Sequence, residues 1–256
     1  MSELTTRRSV LVLLLASMPS VALAQNSLLN EGKSLLGNVQ NGGSSGGTSG
    51  SGASLSQSQI GAGLKDALKV ASQRVVGRVG KTNGYNGDPS IRIPLPDPLQ
   101  KIEGPLKDVG ASGMLDDLQT KMNRAAEQAA PKALNIFTTA VSSMSIDDAR
   151  SILTGPQDSA TQYFKRTTSG SLTTSFRPVV DKTLSSVGAV QTFKGVQGKA
   201  ASLPFGAGKD VSGFNLTDFT VGKALDGLFH YMAVEEAAIR TDPAARTTAL
   251  LKQVFG

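Results

Sequence analysis

Ile60, Leu64, Leu68, Ala71, Val75 and Val79 follow one another at intervals of three and four residues, and this spacing returns through most of the chain beyond Gln57. Apolar side chains at that period line one side of an α-helix, so burying them requires helix to pack on helix. The chemistry available to the interior is narrow. The 256 residues include no Cys and no Trp, and the aromatics are nine Phe and three Tyr, so Leu, Val, Ile and Ala must fill most of the core. Disulfides, thiolate metal sites, a Cys nucleophile and a Cys-borne lipid are excluded, and a single His precludes a multi-His zinc cage. No metal or other cofactor is expected.

Two segments of different character precede the periodic part. Arg7-Arg8 stand before an apolar run, Val10 to Ala16, followed by Val21-Ala22-Leu23-Ala24. A basic start, a short apolar stretch and small residues at the end predict a signal peptide over 1–24, cleaved after Ala24, and a periplasmic mature protein. The run is too short to span a bilayer, and no later stretch is long enough either. Thr6 to Leu11 also resembles a twin-arginine signal, although ordinary secretion is the preferred reading. Residues 25–56 read as a tether, because NGGSSGGTSGSGAS from Asn41 to Ser54 offers too little apolar surface to offset its ordering entropy. A coil of that length spans about 20 Å root-mean-square. Gly42-Gly43-Ser44-Ser45-Gly46 has the letters of a hydrolase nucleophile elbow, but no apolar strand precedes it and no periodic helix follows directly.

Residues 57–256 are predicted to form one all-α domain, a bundle of roughly seven to nine helices with an extended Pro-rich strap. The first helix carries Lys65, Lys69, Arg74, Arg78 and then Lys81 against Asp66 alone. A turn-rich loop, KTNGYNGDP, leads to Ile91-Arg92-Ile93-Pro94-Leu95-Pro96. Its prolines forbid a helix, and alternation puts Ile91, Ile93 and Leu95 on one side. Asp97-Pro98 reads as a capped helix start, with Leu99, Ile102, Leu106 and Val109 buried and Gly110 ending the helix. A long helical stretch from Met114 to Met144 is expected to kink or divide at Pro131. Ser145 caps a short helix that stops at Gly155-Pro156. Asp158 to Val187 is helical with possible interruptions at Gly170 and Pro178, and 188–213 is the least regular part. Thr217 to Arg240 resumes a helix, and Asp242-Pro243 opens a last one.

The strings SIRIPLPDPL, MNRAAEQAAP, ATQYFKRTTS, SFRPVV, KALDGLF and AARTTALLKQVFG occur in this order between Ile60 and Gly256. In them the chain resembles an exported bacterial family known as domain of unknown function 4197. The resemblance implies a mainly helical envelope protein of a Gram-negative cell. It carries no assigned activity, so it assigns no functional residues.

Polar groups beside strong apolar stripes are the remaining signal. Asn123, Arg124, Tyr163, Arg177 and Arg240 are candidate ligand contacts, with arginines as carboxylate or phosphate clamps in a polar pocket. Glu127, Asp226, Glu235 and Glu236 share this setting, and the ordinary alternative for all of them is interhelical ion pairs and solvated faces. Asp226 and His230 share a helix face at i, i+4. Such a pair could help hold a metal or act as a general acid/base couple, but zinc would need two further ligands, and an ordinary helix pair is the preferred reading. Gly80-Lys81-Thr82 mimics the end of a phosphate loop, but Val75 stands where that loop needs Gly. The Asn83–Asp88 loop has oxygen ligands without calcium-loop spacing. The basic face of the first helix suits anionic lipid, lipopolysaccharide or another envelope polymer. Nucleic acid is not an expected partner, since no basic-aromatic pattern appears. With no complete catalytic motif, the sequence favours a non-enzymatic binding or interaction module for an anionic or amphipathic ligand. The alternatives are a carboxylate-dependent hydrolase of an envelope polymer and a structural protein that receives a partner helix.

Overall fold

The computed structural model describes residues 56–204 and 209–241, all within the second of two units, Met1–Gly52 and Ala53–Gly256. The expected leader, most of the expected tether and the last expected helix lie outside the described residues. The described part is an all-α, multi-helix bundle, with no strand among its residues. We label its helices α1 (Gln57–Val79), α2 (Asp97–Gln100), α3 (Glu103–Asp108), α4 (Ser112–Ala129) and α5 (Ala133–Ser143). These are followed by α6 (Ile146–Thr154), α7 (Ser159–Ser186), α8 (Ala189–Ala201) and α9 (Leu216–Thr241).

Local chemistry sets most boundaries. Ser56 starts α1 through a reciprocal capping box with Gln59, and Ser145 starts α6 through one with Asp148. Gly110, at φ 74°, closes α3. Its amide bonds to the Lys107 carbonyl and that of Ala111 to Leu106, so the left-handed residue satisfies the free carbonyls of the last turn. Pro131 divides α4 from α5 through a single 3₁₀ turn, Ala130–Lys132. Three expectations need correction. Val109, expected on the buried edge with Leu99, Ile102 and Leu106, is exposed just past the end of α3. Asp97 does not cap with its side chain; it is the first residue of α2, where its charge meets the positive helix end. The helix expected to run from Leu99 to Val109 is two pieces, because Pro105 has no N–H for a continuing helix and clashes with the carbonyl four residues earlier.

The long α7 lies at the centre, packed against α4, α5, α6, α8 and α9, while α1 rests on α5, α6 and α9. Helix α7 runs unbroken through Gly170 and Pro178. Its stripe of Leu172, Phe176, Val180 and Leu184 is fully buried. Each such side chain stabilises by about 1.5–3 kcal/mol, which together exceeds the roughly 3 kcal/mol cost of an internal proline. Phe137 of α5 meets Phe164 of α7 edge-on at 4.9 Å and lies 6.3 Å from Phe229 of α9. These rings tie the three helices at the core.

Candidate functional site

The site begins with α4. Its last turns place Asn123, Arg124 and Glu127 against the loop that joins α1 to α2. Asn123 is fully buried; its Oδ1 accepts from the Ile93 amide at 2.8 Å, and its Nδ2 donates to the Ile93 carbonyl at 2.9 Å. One side-chain amide thus supplies both bonds that a neighbouring strand would give an extended residue. Glu127, 4% exposed, accepts from the amides of Tyr85 and Asn86 at 3.1 and 3.0 Å. Arg124 pairs with the other oxygen of Glu127 at 2.6 Å and reaches Asn83 Oδ1 at 2.8 Å. Asn83 itself holds a positive φ of 64°, which Asn tolerates better than most residues. Ile91, Ile93 and Leu95 are buried and Arg92 and Pro94 are exposed, so the alternation expected for this segment holds.

The same loop packs on α9 from its other side. Gly227 permits the approach: a Cβ there would sit 2.6 Å from Tyr85 Cε1 and 3.1 Å from Ile91 Cβ. Tyr85 is fully buried and donates to the Ala224 carbonyl at 2.6 Å. Burial pushes its phenol well up, and the nearby charges of Glu127 and Asp226 add to this, so it stays protonated. At the outer edge Tyr231 of α9 is a hub. It donates to Asp88 and accepts from Arg78 at 2.8 Å, and the Arg78 guanidinium lies 3.8 Å over its ring. Ser90 donates to the second oxygen of Asp88 at 2.6 Å, and its amide donates there too. Hydrogen bonds from Ser90 and Tyr231 lead in holding the Asp88 carboxyl down to about 2.

Between this loop and α9 opens a cleft of about 300 Å³, lined by Ser90, Arg92, Lys223, Asp226 and His230 over Ile91, Ile93, Pro94 and Gly227. Lys223 and Asp226 pair at 3.4 Å with both side chains exposed. Arg92 is exposed and makes no ion pair among the described residues. The His230 ring stands edge-on to Tyr231 at 5.1 Å. With Lys223 shared with Asp226, the guanidinium of Arg92, an imidazole and a hydroxyl on an apolar floor suit an anion carrying a small apolar body. Among the described residues no group of three or more His, Asp or Glu is placed to hold a metal, and no helix is long and apolar enough to cross a membrane.

Of the five residues singled out from sequence, none lines this cleft, and only Asn123 and Arg124 come together. Asn123 and Arg124 clamp the loop. Tyr163, 5% exposed, donates to the Ala140 carbonyl at 3.0 Å beside a separate groove. Arg177 pairs with Asp218 at the surface. Arg240 pairs with Glu236 at 3.0 Å and donates to the Ile152 carbonyl at 2.7 Å. Glu236 in turn accepts from the amides of Ala160 and Thr161 at 2.9 and 2.8 Å, giving α7 the N-terminal cap that Asp158 does not supply. The basic face of α1 is partly spent, since Arg74 pairs with Glu235 and Arg78 with Asp88. Sequence reasoning passed over Arg92 and Lys223. The signal was present: Arg92 is the one charge in the otherwise apolar stretch 91–96, and Lys223, Asp226 and His230 share one face at helical spacing.

A helical bundle whose polar loop is clamped by one helix and walls a cleft against another defines the class of protein. The chain belongs to the family described as Protein of unknown function (DUF4197), whose model matches residues 54–256. No curated protein and no solved structure matches it.

Proposed function

We propose that the domain is a non-enzymatic, periplasmic binding module that takes a small anionic or amphipathic ligand in the cleft between the 90–94 segment and α9. The observation that carries this reading is Arg92, a guanidinium without an ion pair among the described residues, on a cleft it shares with Lys223, His230 and Ser90. A carboxylate or phosphate would bridge Arg92 and Lys223, and an apolar body would lie on Ile91 and Pro94. Hydrolysis has less support. General acid catalysis needs a carboxyl that stays protonated near neutral pH, whereas Asp88 is held low, and Glu127 and Glu236 are committed to backbone amides and arginines. A groove for a partner helix also has less support, because the exposed large apolar residues Val109, Ile146 and Val234 are scattered over different parts of the fold.

His230 is the single histidine, so its imidazole gives one NMR signal that reports on the cleft alone. Titrating the purified mature chain with hexanoate and, separately, with inorganic phosphate is expected to shift that signal saturably. Arg92→Ala, an exposed change, is expected to weaken binding at least about tenfold, the equivalent of one charge-assisted contact. An imidazole signal indifferent to both probes would remove the reading. Export is tested apart from this, by N-terminal sequencing of chain from the envelope fraction, which should begin at Gln25; an intact Met1 in the cytosol would refute it.

A further inference from the structure

The facing sides of α5 and α7 form a second concavity of different chemistry, a groove of about 310 Å³. Its lining includes Thr139, Ser143, Tyr163, Thr167, Thr168 and Ser171, and no charged side chain. In a chain where 18% of residues are charged, an uncharged groove on the surface is distinctive. Ser and Thr are also poorer helix formers than Ala, Glu or Lys. Core packing does not require Thr139, Ser143, Thr167 or Ser171, since all four are exposed. Thr138, Ser142, Ser169 and Thr174 are placed alike outside the groove, so what sets the groove apart is its concave, uncharged lining.

The hydrogen bonds define what the groove accepts. Thr139 donates to the Asn135 carbonyl at 2.9 Å, and Ser143 to that of Thr139 at 3.0 Å. Thr167 donates to the Tyr163 carbonyl at 2.8 Å, Thr168 to that of Phe164 at 2.6 Å, and Tyr163 to that of Ala140 at 3.0 Å. With those protons on the backbone, the oxygens turn lone pairs toward the groove. Asn135 and Ser171, exposed in the same lining and with no side-chain hydrogen bond of their own among the described residues, can donate as well as accept, so a matching ligand must do both. An anion donates nothing and meets no cation in the lining. A cation is opposed by Lys165 and Arg166, exposed on the same stretch of α7, and by Lys132 just before α5. A protein partner would want the aromatic, Met and Arg anchors of an interface core, and the one aromatic here is buried with its hydroxyl spent. Saccharides supply many donors, in hydroxyl and acetamido groups, without charge.

We infer that the α5–α7 groove is a binding site for an uncharged saccharide, with its ring carbons on Ile136 and Ala140. The inference does not depend on the cleft at α9. Exchanging uncharged hydrogen bonds with water gains little, so the dissociation constant is expected at about 1 mM. The test is an amide NMR titration of the ¹⁵N-labelled mature chain with a tetramer of N-acetylglucosamine and with a tetramer of glucose. Saturable shifts are expected for one or both sugars, confined to residues 135–143 and 163–171, with the His230 imidazole unmoved. Thr139→Arg fills the groove with a better helix former, so it should fold, as circular dichroism would verify, and abolish the shifts. Thr139→Val keeps the shape, removes one acceptor and should weaken binding severalfold. No localised shifts at about 10 mM of either sugar, or shifts unchanged in Thr139→Arg, would overturn the inference. Shifts of the same residues with chain concentration alone would assign the groove to a second copy and overturn it equally.

Discussion

Asn123 does with one side chain what a neighbouring strand does with its backbone: it pairs the amide and the carbonyl of Ile93 across 30 positions of sequence. Replacing it with Leu, of similar volume, leaves the Ile93 amide in apolar surroundings without its acceptor. The expected loss is about 2–4 kcal/mol in chemical denaturation, since an unmade buried bond costs more than a made one contributes. An unchanged unfolding midpoint would show that the loop is held by other contacts. The sequence signal at this residue was a polar group amid Ala and Leu. That signal made Asn123 a candidate ligand contact; the structure gives it the Ile93 backbone as partner. The identity of that partner lies in tertiary packing and leaves no trace in local spacing. Arg124 and Glu127 follow the same pattern: their i, i+3 pairing was readable, while the Tyr85 and Asn86 amides that they serve were not.

At the scale of elements the prolines behave differently according to what surrounds them. Pro131 separates two helices through a 3₁₀ turn, Pro105 forces a new start, and Pro178 sits inside an uninterrupted α7. The α7 case depends on tertiary burial outweighing a lost backbone bond, which no reading of local propensity contains. Pro178→Ala is therefore expected to stabilise the domain by about 1–2 kcal/mol, the restored bond being partly offset by a more disordered unfolded chain. Thermal unfolding measures this, and a lower midpoint would mean that the ring itself is packed. Elements with strong local signals were legible from sequence: the α1 stripe, the Ser145 capping box, and the alternation of Ile91, Ile93 and Leu95 around Arg92. Helix α8 was not, because Gly195, Gly198 and the neighbouring lysines blur its period even though Phe193 and Val196 are buried.

At the scale of the whole molecule, Glu236 joins elements that are far apart in sequence. Through its own contacts and those of Arg240 it ties α9 to the start of α7 and to the end of α6. Glu236→Gln preserves shape but removes the buried negative charge that accepts from the Ala160 and Thr161 amides and pairs with Arg240. We expect a loss of about 3 kcal/mol in global stability, with the cleft still able to bind wherever the chain remains folded. A variant as stable as the parent would show that this pair is energetically neutral. The bundle and its family were within reach of sequence because they rest on period and order. The cleft was not, because Arg92 and Lys223 lie 131 positions apart in the numbering of the chain.

The cap that Glu236 provides has a consequence for the order of events when the chain is made. The amides at the head of α7 wait for an oxygen that lies 76 positions further on. A polypeptide emerging from its amino end therefore has only water to close its central helix until nearly all of the described domain has appeared. The head of the central helix is thus expected to close late in folding, as α9 docks, rather than when the helix itself first forms.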